Sequence, residues 1–219
     1  MNDKRIDLEV NAYFYPPGDS YETAKTNLVK QLVREGDVCV DLGANIGWYT
    51  VLLSELVGPR GHVYAFEPHP SNFEVLKRNT TGRENVTLYQ IAVSDSFGEK
   101  TLYENSENPG GHSLVLTTRA LHDTGLKVKV TTMDIVFGSR HIDFVKCDVE
   151  GAGVRVLRGM RGVIRSNPKL KMLAEAWAGE DWVGDGMKRY KDELQMVGFK
   201  LTVITKAPNG TQENLLCEL

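Results

Sequence analysis

The chain has 219 residues, with 26 Lys+Arg against 29 Asp+Glu, a formal net charge of −3 and 41% hydrophobic residues. That apolar fraction can bury a core, the length suits a single domain over residues 1–219, and the slight acidity weighs against nucleic acid or anionic membranes as partners. Three Cys cannot build a disulfide scaffold, and no run approaches the roughly 18 apolar residues of a membrane span.

The first ten residues, MNDKRIDLEV, are charged and lack an apolar h-region, so no secretory signal is expected and a cytoplasmic location is. Residues 21–34 set Leu28, Leu32 and Val33 on one face and predict a helix ended by Gly36, inside an N-terminal helical segment over 1–36. Residues 38–42 predict a first strand. Residues 46–57 return to helical spacing and stop at Gly58-Pro59. A second strand at 62–66, a helix at 70–79 with Phe73 and Leu76 on one face, and a third strand at 86–93 follow. Residues 142–147 predict a fourth strand, then a helix with Val154, Leu157 and Val163 inward, and 170–174 a fifth strand. Strands separated by helices imply right-handed crossovers and a parallel sheet.

The tail has another pattern. A helix over 186–196 ends at Gly198, and the runs 199–205 and 212–219 flank Pro208-Asn209-Gly210. Asn-Gly between strand-like runs predicts a hairpin, which makes the last strand antiparallel. Residues 98–131 hold no convincing helix. Instead 101–104, 113–117 and 127–131 alternate like strands around the turn Asn108-Pro109-Gly110-Gly111. This predicts a β-rich insertion between the third and fourth strands, a natural place for substrate contacts. Cys39, Cys147 and Cys217 each lie in a strand-like run with no C-x-x-C pair, which favours buried free thiols over metal ligands.

The chemistry-bearing residues gather where strands end. Asp41-Leu42-Gly43-Ala44-Asn45-Ile46-Gly47 runs from the first strand into a helix, and Gly43 permits a sharp turn with close backbone approach. Gly47 lets the helix start pack against the strand or a ligand. The helix start presents free N–H groups, and Asp41 adds a carboxylate suited to a cationic group. Asn45 stands where G-x-G-x-x-G would have its middle glycine. Glu67 ends the second strand 20 positions after Gly47, where a carboxylate can accept hydrogen bonds from ribose hydroxyls. An adenine could lie against Ala92 and Val93. Asp148 and Glu150, two apart, share a face if the segment is extended, and Glu175 and Trp177 end the fifth strand. Acidic groups at 41, 67, 148 and 175 thus converge on one rim. Asp148 and Glu150 could also hold a divalent cation, but a lone D-x-E is weak evidence for one and no metal is assigned.

These stretches carry a resemblance. DLGANIGWYT (41–50), FEPHPSNFEVLKRN (66–79), IAVSDSFGEKTLYEN (91–105), GGHSL (110–114), VTTMD (130–134), IDFVKCDVEGAGVRVLRGM (142–160) and LAEAW (173–177) make the chain resemble the FkbM family of class I S-adenosylmethionine-dependent methyltransferases. The resemblance implies a Rossmann-like seven-stranded, mostly parallel α/β sheet with an antiparallel last strand. It implies S-adenosyl-L-methionine as cofactor, with Asp41, Gly43, Ala44, Asn45 and Gly47 at the methionine moiety. Glu67 would meet the ribose and Ala92 and Val93 the adenine, Pro68 is a further cofactor-binding residue, and Asp148 would serve either the methionine amine or the reaction itself. The sequence departs from the pattern where the Glu after the DVEGA stretch is Gly153.

For the reaction, methyl transfer needs an acceptor oxygen held in line, and a general base can help. The candidates are Asp148, Glu150 and His112, the last because it lies in GGHSL. The family suggests a hydroxyl on a sugar or polyketide-like small molecule. Two alternatives stay open: a cofactor-binding, non-catalytic partner subunit, and an NAD-dependent oxidoreductase. Phe97, Tyr103 and Trp177 could wall the acceptor or lie in the core, and Trp182, in the glycine-rich run 179–186, could sit in a mobile lid. Oligomeric state is not readable.

Overall fold

The computed structural model describes residues 20–105, 108, 110–115, 125–178 and 186–219. The expectations for residues 1–19, for the strand-like run at 116–117 and for Trp182 lie outside the described residues. In chain order the elements begin with α1 (Ser20–Leu32), β1 (Val38–Leu42), α2 (Trp48–Val57), β2 (His62–Phe66), α3 (Pro70–Asn79) and β3 (Val86–Tyr89). Next come β4 (Ala92–Val93), β5 (Gly98–Tyr103), β6 (Gly125–Thr131), α4 (Met133–Phe137) and β7 (Phe144–Cys147). The chain continues through α5 (Gly153–Arg158), α6 (Arg161–Ser166), β8 (Lys171–Trp177), α7 (Gly186–Met196), β9 (Lys200–Lys206) and β10 (Gln212–Glu218).

The main sheet has seven strands in the order β3-β2-β1-β7-β8-β10-β9. β3, β2, β1, β7 and β8 pair in parallel, and β10 runs antiparallel to both β8 and β9. The antiparallel last strand read from Asn209-Gly210 is therefore present, with Gly210 at φ +70 in the turn.

Strand alternation sets the layers. Cys39, Phe144 and Leu173 point to the face covered by α1 and α2, where Val29, Val33, Leu53 and Val57 are buried. Val40, Leu42, Val145, Cys147, Met172 and Ala174 point to the face covered by α4 to α7. Each fully buried Val or Leu contributes about 1.5–3 kcal/mol by leaving water. Both faces are apolar near the amino ends of the strands. On the α1/α2 face the period of two then brings Asp41, Lys146 and Glu175 to the carboxyl ends of β1, β7 and β8. One face is thus oily below and charged above.

Four expectations are corrected. Residues 86–93 are not one strand: β3 ends at Tyr89, whose carbonyl accepts from Glu67 N–H, and β4 joins a separate three-stranded sheet of order β4-β6-β5. This small sheet is the β-rich insertion, with Ser113 contributing one bridge to Tyr103. The helix after β7 is two short helices, α5 and α6, broken at Gly159-Met160. The segment after β7 is not extended, because Glu150 has φ +49. Finally, Phe97 is 76% exposed, so it belongs to no core.

At Gly153 a Cβ would lie 2.7 Å from the ring of Tyr190, which is fully buried. The aromatic ring on α7 fills the volume that a longer residue would need there. Cys39, Cys147 and Cys217 are free and buried, and burial pushes the Cys39 and Cys217 thiols up. Among the described residues no helix is long and apolar enough to cross a membrane.

Candidate functional site

A cleft opens at the carboxyl ends of β1, β2, β4 and β7, where parallel sheets bind ligands. Gly43, Asn45, Glu67, Pro68, Ala92, Val93, His112, Asp148 and Glu150 all line it. Asp41, Ala44 and Gly47 do not: they lie behind its wall.

The turn after β1 is fixed by its neighbours. Gly43 has φ +75, and a Cβ there would sit 1.8 Å from the Asp148 carbonyl oxygen, so backbone meets backbone. Gly43 and Ala44 N–H both donate to the Phe66 carbonyl, at 3.1 and 3.0 Å. Asn45 adopts φ +50, and its N–H donates to Glu67 Oε2 at 2.9 Å, while His69 N–H donates to Glu67 Oε1 at 2.8 Å. Each Glu67 oxygen keeps acceptor capacity toward the cleft. Burial pushes the Glu67 carboxyl up to about 7, against the two N–H donors that oppose the shift. Asn45 Oδ1 is buried in the cleft wall without a hydrogen bond.

Behind this wall Asp41 is fully buried. Its Oδ2 accepts from Thr50 Oγ1 at 2.7 Å, and its Oδ1 lies 3.7 Å from Lys146 Nζ. The cation that Asp41 faces is thus part of the chain, which corrects its expected direct contact with a ligand. Gly47 is likewise a packing residue, since a Cβ would meet Leu76 of α3 at 2.7 Å.

Lys146 connects the wall to the other half of the site. Its Nζ is 3.3 Å from Asp148 Oδ2, 3.4 Å from the Gly43 carbonyl and 4.9 Å above the Tyr49 ring. Asp148, Glu150 and Glu175 carry carboxylate oxygens within 4.8 Å of one another. Burial alone would raise all such groups. Lys146, a hydrogen bond from Glu175 and Lys25 reverse this for Asp148, whose carboxyl is held below its ordinary value. Glu175 takes the opposite course, raised well above its ordinary value by burial and by the Asp148 charge. Of the two, Asp148 is the readier to ionise. Trp177 Nε1–H donates to Glu175 Oε2 at 3.0 Å, and Gln212 Nε2 donates to its other oxygen. Trp177 therefore braces the carboxyl pair and does not line the cleft, nor does Tyr103.

His112 corrects another expectation. Its Nδ1 accepts from Asn105 N–H at 3.1 Å, and its ring stacks on His69 at 4.1 Å. Burial, then the neighbouring His69, hold it down to about 4. The neutral ring with an occupied Nδ1 carries its proton on Nε2, so His112 offers a donor and not a base. The loop that bears it is tied down by Ser113, whose Oγ donates to the Glu150 carbonyl at 2.5 Å.

Sequence reading missed Lys146 and Lys25. Lys146 had a signal: a lone charge inside the apolar run Phe144–Cys147. Lys25 had one too, since it continues the Leu28/Val29 and Leu32/Val33 stripe one turn toward the N-terminus.

Known proteins resemble this chain to different extents. The hexuronic acid methyltransferase AglP of Haloferax volcanii is 27% identical over 143 residues, covering 64% of this chain and 56% of that protein. The 31-O-demethyl-FK506 methyltransferase FkbM of Streptomyces tacrolimicus is 31% identical over 160 residues, covering 58% of this chain and 61% of that protein. The chain therefore spans little more than half the length of these relatives. Fibrillarin from Aeropyrum pernix, solved with natively bound S-adenosyl-L-methionine, has the same fold: TM-score 0.54 at 18% identity, over 90% of this chain and 74% of that one. The methyltransferase FkbM domain itself matches residues 41–197, from Asp41 at the end of β1 to the close of α7. With that span holding every cleft residue named above, the chain belongs to the FkbM methyltransferase family.

Proposed function

We propose that the chain is an S-adenosylmethionine-dependent methyltransferase that O-methylates a hydroxyl of a sugar or polyketide-like small molecule. The cleft residues fit such a cofactor. Gly43 leaves room for close backbone approach, the unpartnered Asn45 Oδ1 suits an ammonium donor, and Glu67 offers two acceptor oxygens to a ribose. Ala92 and Val93 give a small apolar wall for a flat ring. When bound, S-adenosylmethionine supplies an activated methyl group on a positive sulfur.

The chain's own task is then orientation. Asp148, kept ionised beside Lys146, accepts a hydrogen bond from the acceptor hydroxyl and fixes its direction. As the new oxygen–carbon bond forms, that hydroxyl becomes far more acidic, so even a weakly basic carboxylate can take its proton. Glu150 stands at the same rim, and His112 presents Nε2–H as a donor to a second acceptor oxygen. The carrying observation is Asp148 on the cleft surface with the Lys146 ammonium 3.3 Å from its Oδ2. The names of the two relatives, one a hexuronic acid methyltransferase and one acting on demethyl-FK506, support hydroxylated small molecules as acceptors.

The test is a screen with methyl-labelled cofactor against neutral sugars, hexuronides and macrolide lactones. Label in a methyl ether of one such class supports the reading, and label confined to a carboxyl methyl ester counts against it. Label only on nitrogen, or none on any acceptor while the cofactor binds, overturns it.

A further inference from the structure

Helix α1 lies before the family-matched segment 41–197, yet it reaches into the site. Its packing comes from Val29 and Val33, buried against Cys39, Leu53 and Phe144, with Leu28 and Leu32 beside them. Lys25 continues that inward stripe, and its side chain is only 5% exposed. It is ion-paired with Glu22 of the same helix, and its Nζ lies 4.0 Å from Glu175 Oε1. Glu22 in turn accepts a hydrogen bond from the Tyr49 hydroxyl of α2 at 2.9 Å.

A buried ammonium is a poor way to pack a helix. Desolvating it costs several kcal/mol, and an apolar residue of equal volume at such a place is often neutral or stabilising. Met would fill the same space on this stripe. The location of the charge is therefore the informative feature. It sits above the charged upper part of the sheet face, beside Glu175 of the carboxylate cluster that Glu175 forms with Asp148 and Glu150.

We infer that Lys25 is a positioning residue of the site: α1 delivers its ammonium to Glu175, so that each carboxyl of the Asp148–Glu175 pair faces its own cation, Lys146 at Asp148 and Lys25 at Glu175. This rests on the reading that Asp148 works ionised toward the acceptor. Asp148 is faced by Lys146 and Asp41 from β7 and β1, by Glu150 from its own loop, by Glu175 from β8 and by Lys25 from α1. Two cations thus oppose three further carboxyl groups. Removing Lys25 leaves Lys146 to balance them alone. Lys25 itself stays charged: burial works against it, but Glu175, Asp148 and Glu22 together raise it.

The inference is tested on the full chain by carboxyl 13C NMR titration of wild type, Lys25→Met, Lys25→Arg and Glu22→Gln. Calorimetry with S-adenosylhomocysteine serves as the control on the Gly43–Glu67 half. Lys25→Met is expected to move the Glu175 transition up by about one pH unit, as loss of a cation within a few Å should. Lys25→Arg is expected to restore it, and Glu22→Gln to move it down, while product affinity stays within about twofold. An unmoved transition in Lys25→Met, or equal shifts in the Met and Arg variants, overturns the inference. If Lys25→Met does not fold, an unmoved transition in Glu22→Gln does the same. These titrations need no acceptor. A chain that transfers no methyl group but titrates as described therefore defeats the reaction assigned above and leaves Lys25 in its role.

Discussion

On one side of the cleft, Asn45 and Glu67 are 22 residues apart and meet through a backbone N–H, beside a glycine where an added Cβ would run into the Asp148 carbonyl. On the other side, Asp148 depends on side chains from α1, β7 and β8, held by charge. The first half is backbone geometry, local in sequence and tolerant of side-chain change except where space is absent. The second is an electrostatic network whose members lie far apart in the chain. The two halves should therefore respond to different perturbations.

The largest effect is expected at Gly43. Gly43→Ala forces a carbon into an occupied backbone position at a positive φ and should destabilise the fold by about 3 kcal/mol or more. Chemical denaturation measures this, and a change below about 1 kcal/mol would mean that the turn relaxes freely and the rigid half is not rigid. Asp148→Asn addresses the other half. Turnover of the labelled cofactor should fall by about 10²–10⁴-fold with S-adenosylhomocysteine binding retained. Near-wild-type turnover in Asp148→Asn would remove the carboxylate from the reaction.

Smaller effects separate the halves further. Glu67 titrates near 7 because it is buried, and a ribose hydroxyl donates best to the ionised form. Ligand binding should hence favour the carboxylate. Affinity for S-adenosylhomocysteine should be full above pH 7 and fall by up to about tenfold per unit below it. Calorimetry at pH 5.5 to 8.5 reads this directly, and Glu67→Gln should flatten the dependence. A flat profile in wild type would assign the ribose to another group. The least effect is expected for Ser113→Ala, which loses the bond to the Glu150 carbonyl and the one accepted from Val115 N–H. It should cost about 1–2 kcal/mol in denaturation and alter turnover only a few-fold.

The same contrast explains what was legible in the amino-acid order. The alternation of strand and helix, the Asn209-Gly210 hairpin and the Gly43–Glu67 half all rest on local rules, and a reader of residues finds them. The break between β3 and β4 was not legible, because Ala92 and Val93 have the same strand pattern whichever sheet they join. Nor was the burial of Asp41: its partners Thr50 and Lys146 come from α2 and β7, and only the register of β1 against β7 sets Asp41 opposite Lys146. His112 illustrates the limit well. Its place at the cleft follows from GGHSL, but its protonation follows from Asn105 N–H and His69, which only the folded loop brings near. Lys25 and Lys146 were visible as charges at apolar positions, a signal that marks a buried ion pair without naming its partner.

The central claim is that the cleft binds S-adenosylmethionine and not another nucleotide carrier. Isothermal titration of the full chain with S-adenosylhomocysteine and, separately, with NAD tests it most directly. Micromolar binding of S-adenosylhomocysteine with no heat from NAD is the expected result. Binding of NAD with none of S-adenosylhomocysteine would contradict it.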